Sequence, residues 1–174
     1  MTQDEAAPLP QSDPEVMLRA IDSAPAEAAE TPAAREGVPY LGFYLGTDLY
    51  GLPLERLKEV SRLTRLRRMP GVPAAVAGLV NLRGEIICAL DTRAILGLEP
   101  WLPSEESVLI ALRSFDYPVG LVVDAIADIF SIDPAEIEPP PASWPAERAA
   151  HFVGNATVRL GLMGLLDLDE VVAK

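Results

Sequence analysis

Cysteine and histidine are almost missing from this chain. One cysteine, Cys88, stands among 174 residues, so no disulfide can form within it; such usage fits a reducing compartment. The single histidine, His151, has no second histidine and no nearby cysteine to help supply the three or four ligands a metal site needs, and it reads as a packing or surface residue. No local motif supports a Cys–His catalytic pair, and Cys88 lies in the apolar run Ile86 to Leu90, where it reads as a small hydrophobe. Bases are scarce as well. Lys and Arg number 14 against 26 Asp and Glu, giving a net charge of −12 and a pI near 4.4. So acidic a chain lacks the clustered positive charge that displaces counterions from a phosphate backbone. An anionic membrane surface repels it for the same reason. A small β-barrel that binds single-stranded nucleic acid is the less favoured alternative, because the net charge and an aromatic content of 6% weigh against a stacking platform. No stretch reaches the roughly 18 to 20 apolar residues that span a bilayer. The acidic start, Met1 to Glu5, leads into no apolar run of the secretory kind. These absences predict a soluble, cytoplasmic protein with no nucleic-acid partner and no direct membrane insertion.

Catalytic signatures are missing too. No glycine-rich phosphate loop follows a strand and opens a helix. Glu85, Asp91, Asp124 and Asp128 suggest a carboxylate pair only by being acidic, and strand ends and turns account for them more simply. The expectation is a protein with no catalytic residues, no metal and no cofactor.

What the chain does contain is unevenly distributed. Residues 1–38 hold eight acidic and two basic side chains, a net of −6, and are rich in Ala and Pro without one aromatic. Such a segment cannot bury enough apolar surface to offset its ordering entropy, and it reads as a disordered tail. From Tyr40 the character changes. Tyr40 to Leu45 and Leu49 to Leu52 read as strands around a Gly46-Thr47-Asp48 turn. Leu57, Val60 and Leu63 recur at a spacing that leaves helix and strand both open. Met69 to Pro73 breaks any regular element, and Ala74 to Ala77 reads as a short helical turn. Gly78-Leu79-Val80 and Ile86 to Leu90 flank Asn81-Leu82-Arg83-Gly84-Glu85, which predicts a hairpin, because Asn and Gly tolerate the backbone angles of a tight turn. A short helix follows, with Asp91 as N-cap and Gly97 as its stop. Further strands are expected over Ser107 to Leu112, Val119 to Val123 and Ala125 to Ser131. A loop from Pro139 to about His151 precedes a hairpin over Phe152 to Leu166, and a last short helix begins at Asp167. About ten short strands in two groups, with few short helices, predict a mainly β fold. Arg83 is the residue best placed for recognition, because a guanidinium on a turn between rigid strands can fork onto carboxylates or carbonyls. Glu59, within Leu57 to Val60, is the second such charge.

The stretch Gly78-Leu79-Val80-Asn81-Leu82-Arg83-Gly84-Glu85-Ile86-Ile87 resembles the core motif of CheW-like domains. Other landmarks follow in that family's order: Phe43 to Leu52, Leu57 to Val60, Asp91-Thr92-Arg93, Val119 to Asp124, Ile137 to Pro141 and Leu165 to Leu168. The resemblance covers roughly residues 40 to 172. Thr92 departs from it, standing where the family usually has an apolar residue, and so does the Arg159-Leu160-Gly161 turn. What the resemblance implies is a domain over residues 39–174, built as two intertwined, five-stranded SH3-like β-barrel subdomains sharing a core. It implies a scaffold that binds the regulatory domain of a CheA-type histidine kinase and the cytoplasmic tip of methyl-accepting chemoreceptors. The partner-binding residues it implies are Leu57, Glu59, Val60, Asn81, Leu82, Arg83, Gly84 and Ile86. The apolar members of that set are expected to line a groove.

Overall fold

The computed structural model describes residues 37–100, 102–113 and 115–173. The expected tail lies outside the described residues except for Gly37 and Val38, and Val38 already opens the first strand. Ten strands follow: β1 (Val38–Leu45), β2 (Asp48–Pro53), β3 (Leu57–Arg62), β4 (Val76–Leu82), β5 (Glu85–Asp91), β6 (Val108–Leu112), β7 (Val119–Val123), β8 (Ala125–Ile132), β9 (Phe152–Val158) and β10 (Gly161–Leu166). Among the described residues three short α-helices accompany them: α1 (Thr92–Ile95), α2 (Ala146–Ala149) and, after the last strand, α3 (Leu168–Val172).

The strands form two five-stranded sheets, ordered β8-β1-β2-β10-β9 and β3-β6-β7-β5-β4. Across each sheet the pairings run antiparallel, antiparallel, parallel, antiparallel. The two sheets therefore share one topology, and one is a circular permutation of the other: β8, β9, β10, β1 and β2 match β3 to β7 in turn. The chain enters the second sheet after β2 and leaves it after β7, so the second is inserted into the first.

Each sheet curls back on itself. Beyond β3, Arg67 pairs with Leu79 of β4 through two backbone hydrogen bonds of 2.9 Å. Beyond β8, Glu138 pairs with Asn155 of β9 at 2.9 and 2.7 Å. In both cases the segment after one edge strand reaches the opposite edge, and a glycine makes room. A Cβ on Gly78 would sit 2.4 Å from the Arg67 carbonyl oxygen, and one on Gly154 would sit 2.3 Å from that of Glu138. This geometry is compatible with the pair of SH3-like barrels that the resemblance implies.

Burial follows from the layering. One cluster joins both sheets, including Leu41, Phe43 and Leu52 from the first and Leu57, Val60, Ile110 and Leu121 from the second. A second cluster, with Phe130, Met163 and Leu165, lies within the first sheet, and a third, with Val80, Ile87 and Leu109, within the other. β6 and β7 have core on both faces, so every residue in them is buried. That explains their continuous apolar runs in place of alternation.

Two local expectations need correction. Ala74 to Ala77 is not a helical segment: a single turn at Ala74–Ala75, closed by the Val76 amide donating to the Pro73 carbonyl, gives way to β4 at Val76. The stretch expected as loop up to His151 contains α2, a single turn that follows Pro145 and is too short to show periodicity. The ambiguous spacing of Leu57 and Val60 resolves as strand. A register shift between Leu57 and Glu59 lets both apolar side chains face the same core three residues apart.

Candidate partner-binding site

The β4–β5 turn has two central residues, Arg83 at φ 52 and Gly84 at φ 90. Positive φ at both positions is the geometry that matches a tight hairpin to the twist of its strands. The side-chain oxygen of Asn81 accepts from the Gly84 amide at 2.9 Å and braces the turn from within. Glycine adopts such angles freely, whereas an arginine there carries backbone strain of about 1–2 kcal/mol. Held in this way, Arg83 projects with its side chain 78% exposed.

Two ion pairs tie the hairpin tip to β3, the strand at the far edge of the same sheet. Arg83 meets Glu59 at 2.9 Å, and Lys58 meets Glu85 at 2.5 Å. Glu59 is the less exposed partner of its pair, so it steers the guanidinium from below. Pairs this open contribute only about 0.2–1 kcal/mol each, and their main effect is orientation. Ile86, next along β5, is 53% exposed, while Leu82 is half-buried against the third cluster.

The predicted residues thus divide. Glu59, Asn81, Leu82, Arg83, Gly84 and Ile86 come together at one rim. Leu57 and Val60 do not line an open groove: both are buried in the cluster shared by the sheets. They hold β3 in place from behind. Sequence reading missed the Lys58–Glu85 pair, because nothing in the chain signals a contact between opposite charges 27 residues apart.

The four acidic residues considered for chemistry all have structural partners. Asp91 caps α1 by accepting from the Ala94 amide. Asp124 pairs with Arg93 and also accepts from the Gly46 amide at 2.6 Å, which fastens the β1–β2 turn of one sheet to α1 behind the other. Glu85 pairs with Lys58, and Asp128 with Arg159. His151 is buried, and no cluster able to hold a metal occurs among the described residues. Cys88 is half-buried, and burial pushes its thiol pKa up. No helix among the described residues is long and apolar enough to cross a membrane.

The hairpin tip has a counterpart on the other sheet. β9 starts 76 residues after β4 and ends the same distance after it, and Arg159 occupies the place of Arg83. Arg159 pairs with Asp128 on the edge strand β8, as Arg83 pairs with Glu59 on β3. Leu162 is exposed in the place of Ile86, and Asp167 caps α3 as Asp91 caps α1.

Comparison with known proteins gives a consistent result. The model of the CheW-like domain matches residues 39–174. The chain is similar to the chemotaxis protein CheW of Klebsiella aerogenes, at 26% identity over 137 residues, covering 79% of this chain and 82% of the relative. It is similar to Protein PilI of Pseudomonas aeruginosa, at 29% identity over 131 residues, covering 72% and 74%. The crystal structure of the scaffolding protein TtCheW from Thermoanaerobacter tengcongensis superposes with a TM-score of 0.69 at 27% identity, covering 81% of this chain and 91% of that one.

Proposed function

The chain belongs to the CheW-like domain family, and from that premise we propose that it couples methyl-accepting chemoreceptors to a CheA-type histidine kinase. The family is one of scaffold proteins, not enzymes. In this reading the chain works in the cytoplasm and joins membrane receptor arrays through its partners. Residues 39–174 are the working module, and residues 1–38 are an appendage to it.

The observation that carries the proposal is the strained, braced arginine at the β4–β5 tip. Backbone strain persists where the surroundings over-determine it, and such positions concentrate at sites of function. Asn81 and Glu59 over-determine Arg83 here. A receptor tip is a helical hairpin, and an amphipathic helix is recognised through spaced apolar anchors with charges at the rim. Ile86 and the exposed edge of Leu82 supply the apolar contacts, and Arg83 with Glu59 the rim charges. The kinase's regulatory domain takes a different surface, so that both partners are held together.

Glu59→Lys tests this arrangement. It reverses one rim charge and sets it against Arg83 without touching the core. Affinity for a receptor cytoplasmic fragment should fall while affinity for the kinase regulatory domain stays near wild type, both measured by titration calorimetry. Equal loss toward both partners, with an unchanged circular dichroism spectrum, would show a shared surface and overturn the two-surface arrangement.

A second assignment stays beside the first. Similarity to Protein PilI favours an adaptor for a non-flagellar receptor–kinase system, such as one serving type IV pili or development. The kinase recovered with the chain from its native cell separates the two.

A further inference from the structure

The sequence gathers positive charge in one stretch of a very acidic protein, although Arg56, Lys58 and Arg83 within it pair with Asp169, Glu85 and Glu59. Half of the chain's 14 basic residues lie between Arg56 and Arg83, where Glu59 is the single acid. Four of them, Arg62, Arg65, Arg67 and Arg68, follow one another along the segment that leaves β3 and crosses to β4, and all four are exposed. The segment is a fixed ridge. Leu63 and Leu66 pack inward against the third cluster. Arg65 takes a left-handed backbone conformation, φ 53, which allows both leucines to turn in while the arginines turn out. The Arg67–Leu79 bridge then clamps the ridge to β4, two residues from Asn81. Among the described residues no carboxylate pairs with Arg65, Arg67 or Arg68.

We propose that the acidic N-terminal segment, residues 1–36, binds in cis across this Arg62–Arg68 ridge. The charges are complementary: the segment carries eight acidic and two basic residues, all within those 36 positions. Its composition gives it no apolar core of its own, and its net charge of −6 makes charge its main means of contact. The geometry allows the contact. Tyr40 on β1 lies opposite Pro53 on β2, and Pro53 leads within a few residues to the start of β3, so the N-terminal segment joins the domain near the strand that runs into the ridge. At full extension 36 residues reach on the order of 120 Å, against about 20 Å for the length of β3. A tethered segment also faces its site at an effective concentration of around millimolar, so that weak charge pairing suffices. The ridge adjoins the Glu59–Arg83 rim, and on the reading given under Proposed function the segment screens that rim from acidic surfaces that do not belong there.

A spin label on the full-length protein tests the contact without any partner. A nitroxide is attached at Ala28→Cys, between Glu27 and Glu30, in a Cys88→Ala background, and amide signal losses are read by NMR. At low salt the amides of residues 62–68 should lose at least about twofold in intensity while those of β7 keep theirs. The loss should vanish in roughly 0.5 M NaCl, where the screening length falls well below 10 Å. It should vanish also in the same labelled chain carrying Arg65→Gln and Arg68→Gln, and it should persist on dilution. A second measurement needs no substitution: in the wild-type chain, the amides of residues 62–68 should shift with salt more than those of β7. Unbroadened ridge amides at low salt would overturn the proposal. So would broadening that survives the two substitutions, or that fades on dilution and so reports contact between molecules.

Discussion

The two closing bridges make a prediction whose size follows from geometry. Gly78→Ala and Gly154→Ala each place a methyl group 2.4 and 2.3 Å from a backbone carbonyl oxygen, which no side-chain rotation can relieve. The bridge must open. Opening it forfeits two backbone hydrogen bonds, each with a net contribution of about 0.5–1.5 kcal/mol, so Gly154→Ala should cost about 1–3 kcal/mol. Gly78 also has φ 150, and an alanine held there adds strain of about 1–3 kcal/mol, for a total of roughly 2–6 kcal/mol. Set against a typical domain stability of about 5–15 kcal/mol, Gly78→Ala removes a large share of the margin that keeps the domain folded. Gly71→Ala is the control: φ is 78 there, but an added Cβ would meet nothing within 4 Å, so strain acts without a clash. Urea denaturation followed by circular dichroism reads all three as shifts in midpoint at constant slope. If Gly78→Ala costs no more than Gly71→Ala, and Gly154→Ala leaves the midpoint where it is in the wild type, the bridges do not hold the sheets closed.

Three further outcomes follow from the same contacts. Arg83→Gly should be more stable than Arg83→Ala by about 1 kcal/mol in urea, because both lose the exposed ion pair and only glycine relieves the positive φ, while both lose receptor affinity. The Arg56 guanidinium, bonded to Asp169 at 2.7 Å, holds that carboxyl below its ordinary value. With the folded pKa below the unfolded one, the contact stabilises above the usual carboxylate range near pH 4 and is lost as pH falls through the folded value; Asp169→Asn should therefore narrow the difference between neutral and acid stability and match wild type at the acid end. Burial raises the Cys88 thiol pKa, so at pH 8 a disulfide reagent should label it more slowly than free cysteine, with full reactivity restored in urea.

Much of the strand order is legible in the sequence because turns and apolar runs are local. Gly84 and Asn81 announce the β4–β5 hairpin, and Asp91 and Gly97 bracket α1, since each satisfies a backbone need within a few residues. The internal symmetry is hidden. Between residues 76–91 and 152–167 only four positions keep their residue: Gly78 and Gly154, Arg83 and Arg159, Leu90 and Leu166, Asp91 and Asp167. Three of these have defined tasks, making room for a bridge, pairing with the edge strand and capping a helix, while the leucines are buried; the other positions need only the right polarity. Permutation conceals the rest, because β1 and β2 match strands that come last in the other sheet. At the site, Arg83 and Glu59 stand out as charges beside apolar strands, but their pairing is a contact across a curled sheet. Leu57 and Val60 mislead for a related reason: the register shift that turns both toward the core leaves no trace in the local pattern.

Co-sedimentation of membranes carrying a receptor, a CheA-type kinase and this protein tests directly whether one small chain brings the two partners together. Kinase should pellet with receptor membranes only when the chain is added, and Arg83→Glu should abolish that pelleting while still binding the kinase in solution. Kinase that pellets equally with and without the chain, or a wild-type chain that binds neither partner, would contradict the account.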